Sequence, residues 1–136
     1  MQPSISFITL TVENLERAVA FYRDGLGWPT EGIVGEKYEN GAVAFFKLAN
    51  NLTFALWPKQ SLANETGLPL DHHAPTNVLL AHNVPSEAQV EQVLLEAKQA
   101  GATWVKPAKR TAWGGYAGYF MDPEQHLWEV VYNPHL

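Results

Sequence analysis

Glu129 has the clearest chemical potential of any residue in this chain. It interrupts the apolar, alternating run Leu127-Trp128-Glu129-Val130-Val131-Tyr132, and a carboxylate inside a strand is costly unless it meets solvent, a partner or a metal. Two functional chemistries are open to it: a general base, or an acceptor that anchors a cationic or donor-rich ligand. The structural alternative is a carboxylate paired with an Arg, a Lys or a Tyr hydroxyl. Tyr116 and Tyr119, one strand earlier, are the candidate proton donors. Trp113-Gly114-Gly115 precedes them; glycines let a backbone approach a ligand closely, and an indole offers stacking surface. Five tryptophans in so short a chain favour an aromatic pocket, with Trp57, Trp113 and Tyr119 as its expected walls. Trp128 shares a face with Val130, opposite Glu129, and is expected to turn towards the helices.

Other reactive residue types are less favourably spaced. Asp71-His72-His73 sets two imidazoles side by side, and neighbouring side chains diverge in extended chain. That stretch reads as a solvated loop, with a loop that folds over the site and supplies imidazole as the alternative. His126 follows Asp122-Pro123 and reads as part of a turn. The chain has no cysteine, which removes disulfides, thiolate metal sites and cysteine nucleophiles together. No Ser-His-Asp order, phosphate loop or closely spaced carboxylate pair stands out.

Positioning these residues requires strands. Ile5 to Val12 alternates, with Ile8, Leu10 and Val12 on one face and Phe7, Thr9 and Thr11 on the other. Asn14 then caps a helix whose apolar residues are Leu15, Ala18, Val19, Tyr22 and Leu26, closed by Gly27. Strands are expected at Thr30 to Val34, Ala42 to Leu48 and Leu52 to Trp57, with Pro58 as a stop. The pattern restarts at Thr76 to Val84. A capping box, Ser86 with Gln89, opens a second helix with Val90, Val93, Leu94 and Ala97 as its stripe, ended by Gly101. Thr103 to Lys106, Tyr116 to Met121 and Leu127 to Tyr132 are the last strands. The order strand-helix-strand-strand-strand therefore occurs twice: module one at 1–58, a polar linker without a period at 59–75, and module two at 76–136. An internal duplication is the natural reading.

With 46% hydrophobic and only 17% charged residues, the chain is a globular domain rather than a disordered one. A net charge of −5 argues against nucleic acid, which selects a basic face. No apolar run reaches the length of a membrane span, and the first residues carry no signal-peptide pattern, so a cytoplasmic protein is expected.

The repeated βαβββ order resembles the vicinal oxygen chelate superfamily, the group of glyoxalases, bleomycin-resistance proteins, fosfomycin-resistance enzymes and extradiol dioxygenases. The resemblance rests on Ile8-Thr9-Leu10-Thr11-Val12 through Phe21-Tyr22 and Leu26-Gly27, and on Phe120-Met121-Asp122-Pro123 with Trp128-Glu129. It implies an α+β fold whose two tandem βαβββ modules form a cupped eight-stranded mixed sheet, with the helices on the outer face. Metal-dependent relatives hold four ligands inside the cup. The matching positions here are Phe7, Ala55, Leu79 (or Asn77 after a slip of two) and Glu129, so one donor of the four remains. Metal and cofactor are accordingly expected to be absent.

By the same resemblance, a bleomycin-resistance-like protein would bind a small organic ligand, as a homodimer, through Phe7, Trp57, Asn77, Leu79, Trp113, Tyr116, Tyr119 and Glu129. The alternative is a lyase or dioxygenase-like enzyme. It would use Glu129 as general base, with Tyr116 or Tyr119 returning the proton, or a metal held by Glu129 with His72 or His73.

Overall fold

Alternation, caps and glycines act here as the sequence pattern predicts, and they build each half of the chain separately. The computed structural model describes residues 1, 3, 5–67, 69 and 78–135. The chain divides into two compact units, Met1–His72 and His73–Leu136.

In the first unit the alternating segment forms β1 (Phe7–Val12). Asn14 Oδ1 accepts from the Arg17 N–H at 2.9 Å and opens α1 (Leu15–Val19). Helical spacing predicts one regular helix to Leu26, but the backbone widens into a π-helical turn over Ala20–Gly25. Gly27 then takes the left-handed φ of 76° that ends it. Strands β2 (Ile33–Val34), β3 (Val43–Lys47) and β4 (Thr53–Pro58) complete a mixed sheet of order β1-β4-β3-β2. β2 is shorter than expected: Gly32 takes a left-handed φ of 87° just before it, and upstream the Thr30 hydroxyl donates to the Phe45 carbonyl at 2.6 Å.

The stretch expected to be a period-free linker starts with a helix, α2 (Lys59–Thr66), closed by Gly67 at φ 73°. Leu62 and Ala63 are its only apolar residues, so it shows no stripe to read.

The core of this unit is aromatic. Tyr22, Trp28, Phe46 and Phe54 meet with ring centroids 4.9–6.3 Å apart, around buried Leu10, Val12, Ala18, Val19 and Leu56. Leu10 and Val12 are buried on the α1 side of the sheet. Phe7, Thr9 and Thr11 lie on the opposite face, as their alternation requires.

The second unit repeats the order. It runs β5 (Leu79–Val84), α3 (Glu87–Ala100), β6 (Trp104–Arg110), β7 (Tyr116–Met121) and β8 (Leu127–Tyr132), with sheet order β5-β8-β7-β6. Ser86 Oγ caps α3 by accepting from the Gln89 N–H at 3.2 Å, and Val90, Leu94 and Ala97 bury its apolar face. β6 runs four residues beyond the expected end, through a register shift between Lys106 and Lys109. Pro107 occupies that irregularity, the place in an edge strand where a residue without an N–H is tolerated. α3 approaches β7 closely: a Cβ on Gly118 would lie 2.5 Å from Leu94 Cδ1. Phe120 and Trp128 stack 5.9 Å apart on the same side of the sheet, so Trp128 faces the helix as expected.

Candidate functional site

Glu129 has a partner. In β7 and β8, Tyr119 and Glu129 stand opposite one another, on the face turned away from α3. The Tyr119 hydroxyl donates to Glu129 Oε1 at 3.0 Å. That hydrogen bond, followed by burial and the carboxylate's charge, holds the Tyr119 phenol above its ordinary pKa. Lys106 of β6 pairs with Tyr119 from the other side, its ammonium 5.9 Å from the ring centroid. Lys106, Tyr119 and Glu129 thus form one row across three neighbouring strands. The row offers a cation, a protonated hydroxyl and a carboxylate in sequence, which is a set of groups that can bind an oxygen-bearing ligand and exchange a proton with it.

The other expected site residues are distributed differently. Tyr116 shares the α3 side with Gly118 and Phe120, and its hydroxyl donates to Glu91 of α3. Its phenol is held above the ordinary value, chiefly by that bond. The structure therefore places Tyr116 away from the Tyr119–Glu129 face. Trp113 sits in the loop between β6 and β7, with its ring directly over Gly115: a Cβ there would lie 2.1 Å from the indole. The Gly115 N–H donates to Thr111 Oγ1 at 2.8 Å, which fixes the loop, and 48% of Trp113 remains exposed. Leu79, also 48% exposed, lies on the Glu129 face at the start of β5. In the first unit, Trp57 donates through Nε1 to the Asn40 carbonyl at 2.9 Å. Phe7 meets Phe45 edge to face at 6.2 Å. Asn77, His72 and His73 lie outside the described residues.

The duplication provides a test of metal fit. In the first unit Phe7 pairs with Thr53 and Thr9 with Ala55; in the second, Leu79 pairs with Leu127 and Ala81 with Glu129. Phe7 and Leu79 are therefore equivalent positions, as are Ala55 and Glu129. Among the four, only Glu129 carries a donor. Among the described residues, no three His, Cys, Asp or Glu side chains converge as a metal site requires. One carboxylate among these four equivalent positions does not match the imidazole, thiolate or multiple-oxygen sets of zinc, iron, nickel or manganese, so the donor set of the described residues does not fit a resident metal.

A second feature was not anticipated from the sequence. The first unit contains an open cavity of about 730 Å³, lined by Phe7, Phe45, Val34 and Pro29 together with Lys47 and Thr53. Lys47 and Lys106 were both missed. Their signal is positional: each stands on the same strand face as an aromatic residue, Lys47 two residues beyond Phe45 and Lys106 opposite Tyr119.

Residues 4–130 match the family model of the Glyoxalase/Bleomycin resistance protein/Dioxygenase superfamily. Among solved structures, a glyoxalase-related enzyme from Fulvimarina pelagi is 31% identical, with 97% of this chain and 89% of that one covered at a TM-score of 0.82. A lactoylglutathione lyase from Agrobacterium tumefaciens shares the fold at 23% identity and TM-score 0.67, over 96% of this chain and 94% of that one. A fosfomycin resistance protein, FosX, from Listeria monocytogenes shares it at 24% identity and TM-score 0.70, over 98% and 95%. No match was found among curated proteins.

Proposed function

The chain belongs to the Glyoxalase/Bleomycin resistance protein/Dioxygenase superfamily, and on that premise we propose that it binds a small organic ligand without a metal. The observation that carries this reading is the content of the equivalent register positions: Phe7, Ala55 and Leu79 carry no donor, so that among these four positions only Glu129 offers one, and among the described residues no metal-binding cluster forms. The candidate contacts are Phe7 and Trp57 in the first unit and, in the second, Leu79 and Trp113 as apolar surface with Glu129 and Tyr119 as the polar anchor. Such a lining, mostly apolar with a few placed polar groups, is the usual composition of small-molecule sites. Asn77 is kept in this set on its sequence position alone. A cytoplasmic homodimer is part of the same reading, carried over from the family resemblance.

The test is elemental analysis of untagged protein purified without chelators and offered zinc, iron, nickel and manganese in turn. No metal near one equivalent per chain is expected. A stoichiometric metal that disappears in Glu129→Gln overturns the proposal.

A second reading draws on the Tyr119–Glu129 hydrogen bond. As an enzyme, the chain would use Glu129 to remove a proton beside a carbonyl, while a neutral Tyr119 hydroxyl stabilises the oxygen that gains charge. Glu129→Gln separates the two readings. A binder keeps its fold and shifts in affinity, whereas an enzyme loses turnover.

A further inference from the structure

We infer that the cavity of the first unit is a binding site for a flat aromatic monoanion, with Lys47 and the Thr53 hydroxyl receiving the anionic group. Lys47 and Thr53 stand opposite each other on β3 and β4, and Phe7 stands opposite Thr53 on β1. All three share the sheet face turned away from α1. Phe45, two residues before Lys47, brings its ring edge to face with Phe7 at 6.2 Å. A ring laid against either phenyl therefore lies on the sheet face that also carries Lys47 and Thr53, where a substituent can meet the ammonium and the hydroxyl. Among the described residues neither Lys47 nor Thr53 has a side-chain partner, so both donors are available to an incoming acceptor.

The wall on the β2 side is fixed. The Thr30 hydroxyl donates to the Phe45 carbonyl at 2.6 Å and accepts from the Gly32 N–H at 3.2 Å, which ties the Pro29–Gly32 segment to β3. A cavity of about 730 Å³ lies within the usual range of about 300–1,000 Å³ for ligand sites.

The duplication shows that the fold does not require this chemistry. The positions equivalent to Lys47, Thr53 and Phe7 in the second unit are Met121, Leu127 and Leu79. The same register is filled there by three apolar side chains. A lysine and a threonine in the first unit are therefore an addition to the fold. Glu31 also lines the cavity and has no ion-pair partner among the described residues. With one charge of each sign, the site accommodates one anionic group and opposes a second.

This inference rests on the proposed function for the premise that the ligand is a small organic molecule and shares Phe7 with it, and it fails separately. The experiment titrates naphthoate, naphthyl methanol and naphthalene dicarboxylate into the wild-type chain and into Lys47→Met, Phe45→Ala and Lys98→Met, by calorimetry at low salt. Naphthoate is expected to saturate at one equivalent and to weaken about tenfold or more in Lys47→Met, the loss of one charge-assisted bond. Naphthyl methanol should bind weakly and equally to wild type and Lys47→Met. Phe45→Ala should weaken both ligands, and Lys98→Met, on the exposed side of α3, neither. The dicarboxylate should bind more weakly than naphthoate. Naphthoate binding that ignores Lys47, loss of acid and alcohol to the same degree, or no saturation in the millimolar range overturns the inference. Those results leave the metal-free reading standing, just as a stoichiometric metal would overturn that reading and leave the Lys47 effect intact.

Discussion

Tyr119 and Glu129 set each other's chemistry. The phenol's pKa is raised first by the hydrogen bond to Glu129, then by burial and the carboxylate charge. A neutral acceptor in place of the carboxylate keeps a hydrogen bond but removes the charge, so Glu129→Gln should move the Tyr119 pKa down towards the ordinary phenol value. Ultraviolet titration of phenolate, with Tyr119→Phe to identify the contribution of this one ring, measures the shift. The stability consequence has a definite sign. Because the folded-state pKa is raised, the native chain holds this proton more tightly than the unfolded chain, and the stabilisation is fully present below the unfolded value. It is lost as pH rises through the raised folded value. Wild type should therefore lose stability in the alkaline range more steeply than Glu129→Gln, and the difference should vanish in a Tyr119→Phe background. A difference that persists there would show that Glu129 acts on a different group.

The elements that place these residues depend on two connections. Asp122, fully buried, ends β7 and organises the turn into β8: its carboxylate accepts from the Glu124 N–H at 2.8 Å, the His126 N–H at 2.9 Å and His126 Nδ1 at 2.7 Å. Asp122→Ala leaves those half-buried donors unmatched and should cost about 2–3 kcal/mol. Asp122→Asn keeps the oxygen that serves both backbone N–H groups and should cost about 1 kcal/mol; chemical denaturation orders the two. At the other end of β7, Gly115→Ala places a methyl 2.1 Å from the Trp113 ring and 2.8 Å from the Tyr132 carbonyl. It should cost about 1–3 kcal/mol. Adding Trp113→Ala should recover part of that cost, because the ring can leave and the carbonyl cannot. Both connections were legible in outline, since Asp-Pro and Gly-Gly are turn dipeptides. The strand faces were legible as well, because alternation in Phe7–Val12 and Leu127–Tyr132 decides which residues share a side. What stayed hidden had physical causes. α2 has no apolar stripe, and the π-helical turn departs from the spacing used to read helices. Lys106 precedes a bulge that breaks the β6 register. Tyr116 was legible but misplaced: three residues from Tyr119, it falls on the opposite face of β7 by alternation, and its hydroxyl reaches Glu91.

At the scale of the whole molecule, the duplication is an internal control that separates what the fold needs from what has been added to it. Both units pair an aromatic on the third strand with one on the last, Phe46 with Phe54 and Phe120 with Trp128, and all four are buried against the helix side. A feature kept in both copies is structural, so Phe54→Ala or Trp128→Ala should cost about 3–5 kcal/mol. On the opposite face the copies diverge. Phe45 and Ala55 occupy in one unit the places of Tyr119 and Glu129 in the other, and Lys47 and Thr53 those of Met121 and Leu127. The same backbone register has accepted either content. Exchanging each polar pair for its counterpart, Tyr119→Phe with Glu129→Ala, or Lys47→Met with Thr53→Leu, should therefore change stability by less than about 1 kcal/mol. Tyr119→Phe with Glu129→Ala removes both ends of one hydrogen bond, and Lys47 and Thr53 have no side-chain partner among the described residues, so neither exchange leaves a buried group unmatched. Thermal and denaturant unfolding check the expectation. A loss comparable to that of Phe54→Ala would mean that the polar pairs hold the sheets together. A small change would mean that the fold does not need them, so that the two copies of one fold carry different chemistry on the same register.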